Sequence, residues 1–269
     1  MASAAFTSAG RSAAALQARL FDRSATGYVL TTQGERLLQH AEHMESVALD
    51  MQTEISGSSQ RVAGTVRIGA PDGLGTFFLA PLLAQLAAQH PQLEIQLVTL
   101  PRAFSLSKRE ADLAIGLARP DEGRLHARKL TDYDLGLYAS ASYLAANTPP
   151  RDVAELGQHR FIGYVSDLIY MPELDYLPLV SNDIHPGFTS SSLVAQFTAT
   201  QAGHGLCLLP CFMADGDPQL RRVLPDEVTL HRSFWLIVHA DMRNQARVTL
   251  VAEFVAESLR ANAARFRTK

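Results

Sequence analysis

The sequence predicts a mostly parallel α/β fold carried behind a long amphipathic helix, and three observations lead there. Short apolar runs alternate with helical patterns from about residue 64 onward, a texture that calls for strands and helices in succession. Leu37, Ala41, Met44, Ala48, Met51 and Ile55 recur at spacings of four and three, which is a heptad seam. Apolar residues make up 47% of the 269 and charged residues 19%, so the chain has enough apolar material for one or two sizeable cores.

In chain order, a helix of about 23 residues is expected between Thr32 and Ser56. Thr32 and Glu35 form a T-x-x-E capping box at its start, and Ser56-Gly57-Ser58-Ser59 ends it. Its apolar stripe is narrow, as suits pairing with a second helix more than rest on a globular core. The same six residues are therefore the expected dimerisation positions. Strands are expected at Thr65 to Ala70, Leu93 to Leu100, Ala111 to Leu117, Tyr133 to Ala139, Phe161 to Val165, Gly205 to Leu209 and Phe234 to His239. Leu79, Leu82, Leu83 and Leu86 mark one helix between them, Leu193, Val194 and Phe197 a second, and Val248, Val251, Val255 and Leu259 a third.

Charge and motifs narrow the function. Twenty-four basic residues against 27 acidic ones give no global field toward polyanions or membranes. No apolar run is long enough to span a bilayer, the start MASAAFTSAG has no export signal, and two cysteines build no disulfide framework, so a soluble cytoplasmic protein is expected. The chain lacks a G-x-S-x-G elbow, a phosphate-binding G-x-x-x-x-G-K-[ST] loop and an H-E-x-x-H helix, and an enzyme is not expected. Cys207 and Cys211 near His204 are read as buried thiols, with no metal and no cofactor implied.

Arg19-Leu20-Phe21-Asp22-Arg23, Gly27-Tyr28-Val29-Leu30-Thr31 and Gly34-Glu35 resemble the wing and first linker-helix turn of LysR-type transcriptional regulators. GTVRIGAPDGLGTFFLAPLLAQLAAQHPQLEIQLV, EADLAIGLARP, DLGLYASASYLA and GHGLCLLPCFMA continue the likeness in order, over roughly residues 12 to 262. The resemblance implies a winged helix-turn-helix, a linker helix pairing two subunits, and a two-lobed effector domain of the periplasmic-binding-protein kind. The expected organisation is a wing remnant at 1–31, a linker helix at 32–60 and an effector domain at 64–262. Its first lobe would comprise 64–137 and 233–262, its second 138–232, with crossings near Tyr138-Ala139 and Ser233-Phe234.

Only 19 residues precede Leu20, where the family carries about 45 ahead of this element, including the groove-reading helix. MASAAFTSAGRSAAAL offers one Arg and no Lys, Asn or Gln, the side chains that pair with base edges. From Met1 to Arg61 five basic residues face six acidic ones, which leaves little for phosphate neutralisation. The helix-turn-helix is therefore expected to be truncated and DNA recognition impaired, with Arg19 and Arg23 touching at most a phosphate backbone. A poorly ordered or makeshift helical start over the first fifteen or so residues is expected as well.

In open α/β sheets, ligands sit beyond the carboxyl ends of strands, near helix N-termini. That places Asp72, Gly73 and Thr76 of the P-D-G-L-G-T turn at the site, along with Pro101 and Arg102 after one strand, Ala118 and Arg119 after another, and Ser190, Ser191 and Ser192 before the helix at Leu193. The two guanidiniums suit a carboxylate. The sequence is thus read as an effector-sensing regulator forming a homodimer or tetramer, with a small molecule, possibly a carboxylate, as its ligand and DNA as a doubtful partner. The alternative is a solute-binding protein with no DNA partner.

Overall fold

The computed structural model describes residues 18–24, 27–34, 36–37, 40–41, 44, 62–99, 111–120, 125–242 and 245–268. The chain divides into two compact units, Met1–Arg61 and Val62–Lys269.

In the first unit, β1 (Phe21–Ser24) pairs antiparallel with β2 (Gly27–Leu30), from Phe21 opposite Leu30 to Ser24 opposite Gly27. This hairpin stands where the wing is expected. Leu20 is buried beside it, while Val29 is exposed. The Leu20 carbonyl accepts the Thr31 amide at 3.0 Å, which ties the strand ends together. The following residues are helical at Thr32–Gly34, Arg36, Leu37, His40, Ala41 and Met44. The cap sits one residue earlier than the T-x-x-E spacing indicated. Thr31 Oγ1 accepts the Gly34 amide at 3.0 Å and donates to the Arg19 carbonyl at 2.6 Å, so the Thr that can also hold the incoming chain is the one that caps. Of the seam, Met44 is exposed, as is Ala41, and Leu37 is half-buried, whereas Ala48, Met51 and Ile55 lie outside the described residues, as do the first fifteen.

The second unit is built on a nine-stranded sheet. β3 (Gly64–Ala70) leads into a helix that starts as α1 (Asp72–Leu74), loosens into a π turn at Gly75–Leu79 and continues as α2 (Ala80–Gln89). β4 (Leu93–Thr99), β5 (Leu113–Gly116), β6 (Leu125–Ser140), α3 (Ala141–Ala146), β7 (Phe161–Gly163) and β8 (Pro186–Thr189) follow. Then come α4 (Leu193–Gln201), β9 (Leu206–Pro210), α5 (Cys211–Ala214), β10 (Leu220–Val223), β11 (Thr229–His239), α6 (Ala246–Ala261) and α7 (Ala263–Phe266). The sheet order is β4-β3-β5-β11-β6-β9-β7-β8, with β10 also on β6.

The sheet is less parallel than the apolar runs suggested. Each half has parallel pairs, β4-β3-β5 in the first and β9-β7-β8 in the second. A chain that enters a second lobe must return, so the two strands that join the halves, β6 and β11, run antiparallel over eleven paired positions with a bulge at Phe234/Trp235. Both extend well beyond their expected bounds. Their leading portions, Leu125-His126-Ala127-Arg128-Lys129 and Thr229-Leu230-His231-Arg232-Ser233, mix polar and apolar residues instead of forming an apolar run, which hid them. Leu135–Tyr138 of β6 already pair with β9, so the strand enters the second half ahead of Tyr138. β8 and β10 had no signal: they are four residues each, and the first is mostly exposed.

The core follows the apolar spacing. Leu83 and Leu86 of α2, Leu193 and Phe197 of α4, and Val248, Val251, Val255 and Leu259 of α6 are all buried, each side chain worth about 1.5–3 kcal/mol on leaving water. Tyr133 stacks on Phe234 at 4.1 Å between the crossing strands, Phe212 meets both rings edge-on, and Phe266 meets Phe234 edge-on. The C-terminal residues tie into the same strands, since the Thr268 amide and hydroxyl donate to Asp134 Oδ2 at 2.9 and 3.0 Å. Gly205 is required where it stands, because a Cβ there would lie 2.2 Å from the Arg160 carbonyl oxygen.

Candidate functional site

Where the two halves of the sheet meet, a small cavity of about 30 Å³ opens above the aromatic pair Tyr133 and Phe234. One wall is the turn Pro71-Asp72-Gly73-Leu74 with Leu117. The other carries Tyr164, Tyr170, Tyr176, Ser191, Leu193 and Phe212. Such a volume holds little more than a water molecule, so the walls rest nearly closed on each other.

A polar link spans them. Asp72 Oδ2 accepts the Ser192 hydroxyl at 2.7 Å and the Val194 amide at 3.4 Å. Ser192 is also the N-cap of α4, accepting the Ala195 amide at 3.2 Å. The carboxylate thus lies against amides that face out of a helix N-terminus, where negative charge is favoured. Close packing reinforces the link. A Cβ on Gly73 would come within 2.6 Å of Met213 Sδ and 2.9 Å of Leu193 Cδ2, so only glycine lets α1 approach this closely.

The three serines divide their work. Ser190 is held internally: its amide donates to the Gly163 carbonyl at 3.0 Å, its carbonyl accepts Gln196 Nε2 at 2.9 Å, and its hydroxyl accepts the Ser192 amide at 3.1 Å. Ser192 makes the link, and Ser191 lines the cavity. Of the other expected site residues, Asp72 and Gly73 line the cavity. Thr76 is exposed within the π turn, Ala118 is half-buried and Arg119 exposed, with only their neighbour Leu117 on the cavity wall. Pro101 and Arg102 lie outside the described residues.

The tyrosines escaped the sequence reading. Burial pushes the Tyr133, Tyr164 and Tyr176 hydroxyls well above their usual range, and burial together with the Asp72 carboxylate pushes Tyr170 up. All four are therefore neutral near pH 7, with the Tyr176 hydroxyl hydrogen-bonded to Tyr164. Four of the chain's seven tyrosines converge here, three of them from the irregular stretch 164–176, where no periodicity marks them. Their density in that stretch was the one usable signal.

Cys207 is fully buried, its thiol pushed up to about 12 by desolvation, and Cys211 is pushed up to about 11 for the same reason. Among the described residues no group of three or more His, Cys, Asp or Glu is arranged to hold a metal ion, and no helix is long and apolar enough to cross a membrane. In the first unit, Arg19 is exposed and pairs with Asp22 at 2.9 Å, while the Arg23 side chain lies outside the description.

Two lobes joined by a pair of antiparallel strands, with a cleft at helix N-termini, define a clamshell binding domain. Comparison with known proteins identifies which one. A model of the LysR substrate binding domain matches residues 59–260. The transcriptional regulator CrgA of Neisseria meningitidis (serogroup C, strain 8013) is 24% identical over 253 residues, 92% of this chain and 84% of that protein. DgdR of Burkholderia cepacia is 40% identical over a shorter 107 residues, 39% of this chain and 35% of that one. The solved regulatory domain of CrgA, 24% identical, superposes with a TM-score of 0.67 over 74% of this chain and all of that domain, and so shares the fold. The chain belongs to the LysR family of transcriptional regulators and carries that family's effector-binding domain.

Proposed function

We propose that the cleft senses a small effector bearing a carboxylate, which takes the place of Asp72 at the N-terminus of α4 when the lobes part. The observation that carries this reading is the 2.7 Å bond from Ser192 to Asp72, in which the protein holds a carboxylate of its own at that position. An effector acid would meet the same hydroxyl, the same helix terminus and four protonated tyrosines, and would exchange a contact between lobes for a contact with ligand. The lobes would bind this molecule without turning it over, as an intracellular switch.

The coupling to DNA extends the proposal. Residues 1–31 would act as a wing with backbone contacts from Arg19 and Arg23 only, residues 32–60 would pair two chains along Leu37, Ala41, Met44, Ala48, Met51 and Ile55, and residues 64–262 would report effector occupancy to that pair. Exposure of Met44 and Ala41 on a helix supports the pairing.

Thermal-shift screening with a panel of small mono- and dicarboxylates, run on the wild type and on Asp72→Asn, tests the effector reading. A matching acid at about a hundred times its Kd should stabilise the wild type by about 2.7 kcal/mol. It should bind Asp72→Asn more tightly, because the competing charge is gone. If no acid shifts either protein, or if Asp72→Asn weakens binding, the reading fails. Gel shifts with the upstream intergenic DNA, with and without the acid, read the coupling.

A further inference from the structure

A second cavity is larger than the cleft. A pocket of about 270 Å³ lies within the second half of the sheet, between β7, the irregular segment from Ser166 to His185, and α4. Ile162, Ile169, Leu177, Ile184 and Leu208 supply apolar walls. Among its lining residues is Gln196, 1% exposed, whose Nε2 is committed to the Ser190 carbonyl and whose Oε1 meets the weak Cys207 thiol donor at 3.8 Å. Tyr164, Asp175, Tyr176 and His185 are its titratable lining residues, and no Lys or Arg lines it.

We infer that this pocket is a second ligand site, distinct from the cleft, for an uncharged one- or two-ring apolar molecule with a hydrogen-bond donor directed at Gln196 Oε1. The volume sits near the lower end of small-molecule pockets, about 300–1,000 Å³. No Lys or Arg lines the pocket to pair with an acid, and Asp175 would repel one, so a neutral ligand loses less hydration on entry. A neutral donor meets a buried acceptor whose other neighbour is a thiol, a weak partner. The site also adjoins the cleft. Leu174, Tyr164 and Tyr176 line both cavities, and the two tyrosine rings pack edge-to-face at 5.9 Å, so a molecule in the pocket bears on the wall that the cleft effector touches. Whatever coupling results must act equally in both directions.

Indole, a neutral bicycle with one N–H, is the probe, and benzoate is the anionic control. Saturation-transfer NMR and calorimetry on the full chain should show indole binding with a Kd below about 1 mM. Ser181→Trp and Asn182→Trp, which fill the pocket from its rim, should each weaken indole at least tenfold. Asn182 is exposed, so the second variant keeps the test alive if the first does not fold. Gly73→Val, which wedges the cleft, should leave indole binding within threefold. Absence of indole binding to the wild type, or binding that survives both Trp variants, overturns the inference. Because the readout is indole itself, failure of the carboxylate reading leaves this one intact, and the reverse.

Discussion

The two walls of the cleft are both strand-to-helix turns, yet they carry opposite chemistry. After β3 the chain presents Asp72, an acceptor, on a helix start that has no side-chain cap. Before α4 it presents Ser191 and Ser192, donors, on a start that is fully capped and backed by Ser190. Walls of like polarity would repel or stay wet. Walls of complementary polarity bind each other, and on the reading proposed above an effector would compete for that contact. Similar topology thus gives walls that hold each other only because the side chains differ.

The sharpest way to break this comparison is to remove the platform of the second wall. Gly205→Ala forces a Cβ into the Arg160 carbonyl and should cost about 3 kcal/mol in urea unfolding, the upper end for overpacking. Next comes the joint that holds both walls in register. Asp134 is 4% exposed and takes hydrogen bonds from His231 and from the amide and hydroxyl of Thr268, so Asp134→Ala should cost about 2 kcal/mol by leaving those donors unmet.

That joint is also acid-labile. Lys129, then the Ser233 hydroxyl and Arg267, hold the Asp132 carboxyl at about 2 despite partial burial. At Asp134, burial acts upward, but hydrogen bonds from Thr268 and His231 leave it below its usual value. Both carboxyls bind protons less readily folded than unfolded. Their contribution is complete above the unfolded value of about 3.9 and is lost as pH falls through their lowered folded values, about 2 for Asp132. Circular dichroism from pH 5 to pH 2 should show a loss of stability that Asp132→Asn makes shallower.

Smaller effects separate the walls themselves. Ser192→Ala removes both the cap and the link and should cost about 1 kcal/mol while leaving the lobes freer to part, which small-angle scattering would register as a wider distribution. Thr76→Ala and Ser191→Ala should each change stability by less than about 0.5 kcal/mol. Effector affinity distinguishes them: Ser191 lines the cavity and its loss should weaken binding several-fold, whereas Thr76 is exposed and its loss should not.

Much of this was legible beforehand, for reasons that differ by element. Leu79, Leu83 and Leu86, and Val248 through Leu259, announce buried helix faces because a core needs one apolar stripe every 3.6 residues. The Ser-Ser-Ser run before Leu193 announces a helix N-terminus because a cap needs a hydroxyl there. The tyrosines of the cleft could not be found in this way. Tyr164, Tyr170 and Tyr176 lie in the irregular links between short 3₁₀ turns, and an irregular backbone imposes no spacing on what it brings together. Arg119 shows a related limit: the end of a strand places a residue near the cleft but does not aim its side chain, and this one is exposed while Leu117 lines the cavity.

By itself, the sequence determined the fold class, the family, the capped turn before Leu193 and the presence of an acid at position 72, since each depends on local spacing or on a contiguous pattern. The meeting of Asp72 with Ser192, 120 residues apart, was decided only when two antiparallel strands brought the halves of the sheet together. The same is true of the second pocket, because its volume exists only between elements whose sequences record their own faces and not the space between them.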